Sequence, residues 1–589
     1  MANSKKIGLF LATGFLCTFL AAQTVFAASL ENLEIFWQNI FPFSQILPIP
    51  IPTLERQLLA KASPDECFNG IGNPPSPGPP CSQGVPKVNQ AYVWGLTKSA
   101  DKLWFGTAAN VLCLVLGSLG IIGPHQTTPW ACELGNSDIR APRIYSFDTV
   151  SKILEDKTPA TGPAGALLRT TLGIRSAGSL GNIVFLAGPS LVKGINIFAF
   201  NATTGNLIGA TNILEFDDIR IWVVEKGILY TGVSNSAGGG SVLRWTGSLA
   251  DPFKFEVVGN LDSEAAYLAV HEGRLFVSTW PPIRFGGEVL AGLYMSPLIP
   301  PGGLTKVHAG DWTKVWEVDD YEADPVTAAT YGGGALASFN GYLYWGTMHV
   351  PGASLLNAIW AHENHLIDLD ANGNGVLDGE EIVDTALGTY RPFSIFRGKN
   401  FGKPNQNIQL LYGQKYLPVY DATLKKYTFA NDLVHSNRMP DPNPKWGKSG
   451  FGNFFNAYAW SMAVYKNTLF IGTFDWSYLL DQGFLDLVMG ALITTGSISE
   501  IMDDISLLTK QFQMVPLSSY GADLYRVNGL LPATPESING VGNFTNYGIR
   551  TMVADDALYL GMANPMNLLT NPRDRLPEGG WELIRLKRK

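Results

Sequence analysis

The stretch Leu343-Tyr344-Trp345-Gly346-Thr347 recurs, with variation, between residue 100 and the C-terminus. Seven copies are present, and each is a short apolar, often aromatic run with a small residue in it or directly after it. The copies lie at 103–107, 183–188, 229–233, 275–279, 343–347, 469–473 and 558–562. A polar or Gly-containing turn precedes each copy, such as Asn340-Gly341 before the fifth. Repetition at this scale indicates a fold built from similar supersecondary units.

Other strand-like runs accompany each copy. One follows it, such as Val242-Leu243-Arg244-Trp245, and several turns are preceded by a third, such as Ile219-Arg220-Ile221-Trp222-Val223-Val224. Sets of short β-rich runs separated by Gly and Asn predict a β-propeller. We therefore predict an all-β fold, a seven-bladed β-propeller with loop and helical insertions, over residues 89–589. The chain ends in the third strand of blade 7, so we expect the outer strand of that blade to come from the segment before residue 90.

The remaining segments differ from this pattern. Residues 28–88 are Pro-rich and predict an extended, disulfide-pinned connector, with helical spacing of apolar residues at 30–41. Insertions into the ring are predicted at 108–141, 361–390 and 474–520. The last has a helical apolar pattern, which most often packs on the body of a protein, and a cap over the ring or a partner-binding helix pair is the alternative.

The N-terminus predicts export. Lys5 and Lys6 precede an apolar run at 7–22, and Val25-Phe26-Ala27 offers a signal peptidase site, so residues 1–27 are predicted to be a signal peptide. An uncleaved membrane anchor is the alternative. No later apolar stretch is long enough to span a bilayer. The mature protein is therefore expected to be secreted or periplasmic, with no transmembrane segment.

The cysteines agree with export. Once Cys17 is removed with the signal peptide, four remain in one window: Cys67, Cys81, Cys113 and Cys132. An even number of cysteines in an oxidising compartment predicts two disulfides. Three connectivities are possible, and we favour Cys67 with Cys81 and Cys113 with Cys132, because each pair would close one loop. Zinc is the competing interpretation, although no Cys-x-x-Cys spacing is present.

Charge and composition exclude some classes of protein. Charged residues make up 16% of the chain and apolar residues 46%, which is typical of a globular protein with a large core. The formal net charge is -8, and loss of the signal peptide makes it more negative. An acidic chain of this kind is a poor candidate for binding the phosphate backbone of nucleic acids.

One twelve-residue segment predicts a calcium site. It runs Asp370-Ala371-Asn372-Gly373-Asn374-Gly375-Val376-Leu377-Asp378-Gly379-Glu380-Glu381 and resembles the loop of the EF-hand family. The resemblance implies Ca²⁺ ligation by the side chains of Asp370, Asn372, Asn374, Asp378 and Glu381 and by the carbonyl of Val376. A fortuitous Asp/Asn/Gly turn is the alternative. The flanks are less typical, since 361–369 could form only a short entering helix and no second loop is present.

Three arginines on predicted strands are candidates for ligand binding. Arg175, Arg220 and Arg550 occupy similar places before the closing Gly of their blades. If they face the axial channel, they could hold an anionic ligand. Equally, they could form ion pairs with acidic neighbours such as Asp217 or Asp555.

The repeats as a set resemble secreted bacterial-type propellers of the broad Leu-Tyr-x-Gly-Thr kind, from Ala91 to Leu586. That resemblance implies a fold and no activity, because propellers serve binding, scaffolding and catalysis alike. Enzyme motifs are mostly absent: His362-Glu363-Asn364-His365, for example, is one residue short of the zinc-protease helix motif. We therefore hypothesise an exported, calcium-binding propeller that binds or scaffolds an unidentified protein or carbohydrate. The alternative is a propeller hydrolase or lyase with its site at the channel mouth, and whether the protein is an enzyme stays open.

Overall fold

The computed structural model of the chain describes residues 50–117, 129–133, 138–283, 285–287, 289–350, 352–377, 379–479 and 520–588. The predicted signal peptide, the possible helix at 30–41 and most of the 474–520 insertion lie outside the described residues. Within the described residues, antiparallel pairing groups most strands into four-stranded blades that follow one another along the chain.

The first three blades each contain four consecutive strands, ordered from the inner to the outer edge of the blade. Blade 1 consists of Gln90–Ser99, Lys102–Ala109, Ile144–Asp148 and Leu154–Asp156. Blade 2 consists of Ser176–Leu180, Ile183–Pro189, Ile195–Asn201 and Leu207–Ile213. Blade 3 consists of Phe216–Glu225, Ile228–Asn235, Gly240–Trp245 and Phe255–Leu261.

The next three blades repeat this meander. Blade 4 consists of Glu264–His271, Arg274–Trp280, Gly292–Met295 and Thr313–Glu317. Blade 5 consists of Tyr331–Phe339, Tyr342–His349, Ile395–Lys399 and Asn407–Tyr412. Blade 6 consists of Asn456–Tyr465, Thr468–Asp475, Leu524–Val527 and Thr534–Ser537. In each blade the repeated sequence motif forms the second strand.

Blade 7 joins the two ends of the chain. Its first three strands are Gly548–Ala554, Leu558–Ala563 and Glu582–Arg588, and its outer strand is Leu54–Lys61, paired antiparallel with Glu582–Arg588. This is the outer strand that the sequence pattern left missing from blade 7. The inner strand of each blade contacts the inner strand of the next, and that of blade 7 contacts that of blade 1, so the ring is closed. The seven-bladed β-propeller predicted from the repeats is thereby confirmed.

Packing between blades explains the small residue in the repeated motif. A Cβ atom added at Gly346 would lie 2.3 Å from the Cβ of Ala459 in the next blade, and one added at Gly472 would lie 2.7 Å from the Cβ of Ile549. Gly is therefore required where the second strand of one blade touches the inner strand of the next. Larger side chains fill the remaining space between blades: Phe185 stacks on Trp222 with ring centroids 5.4 Å apart.

Several elements lie outside the blades. A small sheet comprises Glu66–Phe68, Ser76–Pro77 and Val85–Lys87, and a hairpin comprises Val419–Asp421 and Lys426–Thr428. Within the described residues, the α-helices are Val111–Gly117, Gly162–Arg169, Pro325–Ala328, Ala353–Glu363, Gly379–Thr389 and Ser477–Leu479, and the 3₁₀-helices are Lys306–His308 and Val318–Asp320. Ser449–Gly452 is a tight turn in which Gly450 and Phe451 have positive, non-helical φ angles. In the described segments, no helix is both long enough and apolar enough to cross a membrane.

Both favoured disulfides are present, which confirms the predicted pairing. Cys67 is bonded to Cys81 in the small N-terminal sheet, and Cys113 is bonded to Cys132 in the insertion of blade 1. Asp138 lies close to the sulfurs of the second disulfide. Because both cysteines are oxidised, these three residues do not form a zinc site, and the zinc interpretation is not supported. Disulfides of this kind are typical of proteins from oxidising compartments.

Candidate functional site

The inner strands of the ring line an axial cavity of about 530 Å³. Arg175 at blade 2, Arg220 of blade 3 and Arg550 of blade 7 all contribute to its wall. The three arginines singled out from the sequence therefore come together, although they are far apart in the chain. Tyr267 of blade 4 and Trp94 of blade 1 complete much of the polar and aromatic lining.

Two of the cavity arginines form ion pairs with Asp218 and Glu264, acids that are not themselves among the residues lining the cavity. Asp218 Oδ2 pairs with Arg175 Nη1 and lies 3.5 Å from Arg220 Nε. Arg220 Nε also pairs with Glu264 Oε1. The acidic partner is thus Asp218 and not Asp217. The strand is irregular here, with register shifts between Phe216 and Asp218 and between Ile219 and Trp222, and these shifts set which side chains face the arginines.

Asp217 and Asp555, the two partners expected from the sequence, lie elsewhere. Asp217 accepts a hydrogen bond of 2.6 Å from the hydroxyl of Ser236, outside the cavity wall. Asp555 forms its ion pair with Lys98 at the turn of blade 7. Neither carboxylate forms an ion pair with a cavity arginine. The prediction that Asp217 or Asp555 would be the partner is therefore wrong.

Arg550 differs from the other two arginines. It is 3% exposed, its Nη1 donates to the Tyr267 hydroxyl at 3.3 Å, and its Cζ lies 5.4 Å from the ring centroid of Trp460. Among the described residues it forms no ion pair with a carboxylate. Burial lowers the pKa of Arg550 from its usual range, and the nearby charge of Arg220 lowers it further. The cavity therefore contains a buried guanidinium whose charge is not neutralised by a direct partner.

The pKa values of the two acids are shifted in opposite directions. Burial raises the pKa of Glu264 to about 7, since the opposing effect of Arg220 is partly cancelled by the negative charge of Asp218. For Asp218, burial is outweighed by the charges of Arg175 and Arg220, which hold its pKa below the usual range. Glu264 therefore holds its proton to a higher pH than Asp218 does. One acid can thus accept or hold charge while the other can donate a proton.

The predicted calcium loop forms a compact turn between two helices. Asp370 Oδ2 accepts a hydrogen bond from Gly375 N at 2.8 Å, and Asn374 Oδ1 accepts one from Val376 N at 2.9 Å. Glu381, at the last position of the loop, accepts from Asn372 N at 3.1 Å through Oε1. The carboxylates of Asp370 and Glu381, the first and last positions, therefore both accept hydrogen bonds from backbone N–H groups of this loop. Carboxylate and amide oxygens of this kind suit Ca²⁺.

The flanks of this loop are only partly those of an EF-hand. Helix Gly379–Thr389, which carries Glu381, starts within the loop as expected. The preceding helix, Ala353–Glu363, ends before the loop, because Asn364 caps it and His365 has a positive φ of 57°. The expectation of an entering helix at 361–369 is therefore wrong beyond residue 363. Asp378, the remaining predicted ligand, lies outside the described residues.

No protein-family model and no curated protein matches the chain. Among solved structures, PorZ, described as an essential surface component of the type-IX secretion system of Porphyromonas gingivalis, has a TM-score of 0.39 at 10% identity, with 88% of this chain and 48% of PorZ covered. Hydrazine synthase of Kuenenia stuttgartiensis has a TM-score of 0.36 at 9% identity, with 85% and 98% covered. The sialidase of Trypanosoma rangeli has a TM-score of 0.30 at 10% identity, with 72% and 57% covered. Similarities of this size carry no argument about activity, and the fold rests on the strand pairing above.

Sequence reasoning missed the acidic half of the axial site. Asp218 and Glu264 are separated by the same number of residues as the repeated motifs that begin at Leu229 and Leu275, so they occupy one position of the repeat. That equivalence was a usable signal. The position of Tyr267 in the cavity wall could not be predicted from the repeat. A β-bulge between Ala265 and Tyr267 changes which side chains of this strand face the cavity.

Proposed function

We propose that the chain is an exported β-propeller that binds a small anionic ligand in its axial cavity. The observation that supports this most directly is the buried guanidinium of Arg550, which has no carboxylate partner among the described residues. A buried charge is costly unless it is paired. A ligand with a carboxylate, phosphate or sulfate group would supply the missing partner, and arginine is well suited to planar, bidentate recognition of such groups.

The charge balance of the cavity supports the same conclusion. Three guanidinium groups line the cavity, and among the described residues two acids, Asp218 and Glu264, form ion pairs with them. Burial raises the pKa of Glu264, which weakens its compensation of this positive charge. In addition, Arg175 Nε is buried and has no hydrogen-bond partner among the described residues. The cavity therefore has an excess of positive charge and unused donors. Its volume is sufficient for a small molecule, such as an acidic monosaccharide.

Replacement of Arg550 by Met is expected to remove most of this binding. Charge-assisted hydrogen bonds contribute about 1.5–3 kcal/mol, so affinity for an anion should fall by roughly 10- to 100-fold. Binding is measured by calorimetric titration of glucuronate and of inorganic phosphate, with glucose as the neutral counterpart of glucuronate. We expect wild type to bind at least one anion and to show no response to glucose.

The control for this measurement is Arg169→Gln, which removes an exposed arginine far from the cavity wall. It should leave affinity unchanged. Arg550→Met removes a buried, unpaired charge, so its melting temperature should not fall, and a loss of binding can then be assigned to the missing guanidinium. Equal affinity for the anions in wild type and in Arg550→Met would contradict the proposed site.

A hydrolase with the same cavity as its active site is the second candidate, and the opposite pKa shifts of Asp218 and Glu264 favour it. A pair of acids tuned in this way is what general acid catalysis beside an ionised carboxylate requires. Glu264 would protonate the glycosidic oxygen as its bond to the anomeric carbon breaks, and water would add to that carbon and return a proton to Glu264. Asp218 would stay ionised beside the positive charge that develops on the sugar. This candidate is distinguished by turnover: Glu264→Gln should abolish hydrolysis of an acidic glycoside while the product still binds.

We also propose that Ca²⁺ binds the loop at 370–381 and stabilises the insertion of blade 5. The hydrogen bond from Asn372 N to Glu381 Oε1 supports it, because this contact brings the last ligand position to the first half of the loop. Asp370, Asn372, Asn374, Val376, Asp378 and Glu381 would provide the ligands. The ion would neutralise the negative charge of the carboxylates. The hydrogen bonds within the loop hold these groups in place.

Asp370→Ala combined with Glu381→Ala is expected to remove one bound calcium ion per chain. Since an ion that binds only the folded state stabilises it, the loss of stabilisation should be about 2.7 kcal/mol at one hundred times the dissociation constant. Calcium content is counted by mass spectrometry after dialysis, and thermal unfolding is followed with calcium and with chelator. As a matched control, Asp251→Ala with Glu215→Ala removes two exposed acids. An unchanged calcium count in the loop variant would refute the site.

Export is proposed from residues 1–27, which lie outside the described part of the chain. The two disulfides support it, because such bonds persist mainly in secreted and periplasmic proteins. A binding protein in that compartment would meet carbohydrate and small-molecule anions directly. The proposal of a small ligand is preferred to a role as a protein scaffold because Arg550, the buried guanidinium that supports binding, lies in the axial cavity.

A further inference from the structure

Blades 6 and 7 contain two copies of the same loop. Residues 450–456 read Gly-Phe-Gly-Asn-Phe-Phe-Asn, and residues 540–546 read Gly-Val-Gly-Asn-Phe-Thr-Asn. The backbones agree as well: φ is 61° at Gly450 and 64° at Gly540, and it is 58° at Phe451 and 55° at Val541. The two loops enter the inner strands of their blades in the same way. Differences between their side-chain contacts can therefore be read position by position.

In blade 7 the polar side chains around this loop form hydrogen bonds with each other. Asn543 Nδ2 and Asn546 Nδ2 each donate to Glu582 at 2.9 Å. Asn564, directly after the second strand, donates to Asn546 Oδ1 at 3.1 Å. Arg56 of the closing strand lies 3.7 Å from Glu582 and provides a positive charge. Each buried acceptor of this cluster thus faces a donor.

In blade 6 an acid replaces the donor. Asp475 stands where blade 7 has Asn564, and Asp523 stands where it has Glu582. Asn456 Nδ2 still donates to Asp523 Oδ2 at 2.7 Å, and Asn453 Nδ2 donates to Asp475 Oδ2 at 2.7 Å. However, a carboxylate cannot donate to Asn456 Oδ1 as Asn564 does to its counterpart. Among the described residues, two oxygens, Asn456 Oδ1 and Asp523 Oδ1, are consequently buried without a hydrogen-bond partner.

These oxygens are inside the protein, where lost partners are costly. Asn456 is 0% exposed and Asp523 is 1% exposed. Rotating the Asn456 amide would not help, because its oxygen would then face Asp523 Oδ2 and the carbonyl of Gly450, both of which its nitrogen now contacts. In the described residues, the groups that act on the pKa values of Asp475 and Asp523 include no Lys, Arg or His. No cationic side chain among the described residues is therefore paired with either carboxyl group.

We propose that blade 6 binds a divalent cation of the calcium or magnesium type at Asp475, Asp523 and Asn456. Such ions take carboxylate and amide oxygens as ligands. One divalent ion would balance both carboxylates and would also give Asn456 Oδ1 and Asp523 Oδ1 the partner that each lacks. The site is separate from the loop at 370–381 and from the axial cavity.

Asp475 is the last residue of the second strand of blade 6, and Asp523 directly precedes the third strand, Leu524–Val527, so the two acids lie on either side of the 474–520 insertion. Asp475 Oδ1 accepts a hydrogen bond from Ser477 N at 2.8 Å, and Asp523 N donates to Thr473 Oγ1 at 2.9 Å. A cation shared by Asp475 and Asp523 would join the two ends of this insertion inside the ring. Its removal should therefore loosen blade 6 and leave the other blades unaffected.

Asp475→Asn is the decisive variant, because it gives blade 6 the side chain that blade 7 already has. Bound calcium and magnesium are counted by mass spectrometry after dialysis against each ion, in a background that carries Asp370→Ala and Glu381→Ala. We expect one ion per chain in that background and none after Asp475→Asn. The melting temperature of the background variant should rise when the ion is added, whereas that of the Asp475→Asn variant should not change. When both are measured in chelator, the Asp475→Asn variant should have the higher melting temperature of the two.

Asp523→Asn serves as the second variant, and it too should bind no ion. A failure of the 370–381 loop to bind calcium would appear as an equal ion count in wild type and in the background variant, so it is distinguishable from a failure in blade 6. If the background variant holds neither calcium nor magnesium and its melting temperature does not respond to either, the inference is overturned, and a shared proton accounts for the pair. An ion that remains after Asp475→Asn overturns it as well.

Discussion

Arg391→Met should reduce the free energy of unfolding by about 3–5 kcal/mol, the usual cost of leaving one member of a buried ion pair without its partner. Arg391 is 2% exposed and Glu322 is 0% exposed. The guanidinium binds both carboxylate oxygens, with Nε to Oε2 at 2.9 Å and Nη2 to Oε1 at 3.1 Å. Met has a similar length and cannot provide any of these hydrogen bonds, so the carboxylate of Glu322 would keep a charge inside the ring.

The same arginine also connects the insertion of blade 5 to the rest of the ring. It follows helix Gly379–Thr389, and its Nη1 donates to the carbonyl of Gly388 at 2.7 Å. Its Nη2 donates to the carbonyl of Pro418 at 2.9 Å. Arg391→Lys should therefore recover only part of the stability, because an ammonium group cannot bind both carboxylate oxygens and these carbonyls in one plane.

The measurement is urea unfolding followed by tryptophan fluorescence, in the presence of a fixed calcium concentration. The matched control is Lys254→Met, which breaks an ion pair between side chains that are 64% and 55% exposed and should cost less than about 1 kcal/mol. A loss below about 1 kcal/mol for Arg391→Met, no larger than that of the exposed pair, would contradict this prediction, and the buried pair would then not anchor the insertion.

The repeats predicted the ring because each blade packs against the next through similar contacts. The small residue in the motif is a contact between blades, as Gly346 and Gly472 show, and such contacts recur with the repeat. The missing outer strand of blade 7 could be expected for the same reason. The disulfides could be paired from the sequence because each closes one local loop.

The buried polar groups could not be predicted in this way. Glu322 and Arg391 form a pair across an irregular insertion, and nothing in the repeat places them together. The cavity arginines were found, but their acidic partner depends on which face of the inner strand each side chain occupies. In blade 3 this is set by irregularities between Phe216 and Asp218 and between Ile219 and Trp222, which shift the register after the strand begins.

Glu264 gives the axial cavity a pH dependence whose sign can be derived. Its pKa rises from 4.5 in the unfolded chain to about 7 in the folded protein, so folding favours the protonated form. Its contribution to stability is therefore fully present below about pH 4.5, and it is lost as the pH rises through about 7. Asp218 acts in the opposite direction and at lower pH: its pKa is lowered from 3.8, so its contribution is present above that value and is lost on acidification below it.

Glu264→Gln should remove this dependence, because glutamine is a neutral mimic of the protonated acid. The variant and wild type should be about equally stable at pH 5. At pH 8 the variant should be more stable, by at most about 3 kcal/mol from the size of the shift. The comparison requires thermal or urea unfolding of both proteins between pH 5 and 8, with Glu215→Gln as the exposed control. Parallel stability curves would show that Glu264 is ionised throughout. In that case it could not serve as a general acid, and the hydrolase candidate would lose its main support while anion binding at Arg550 would stand.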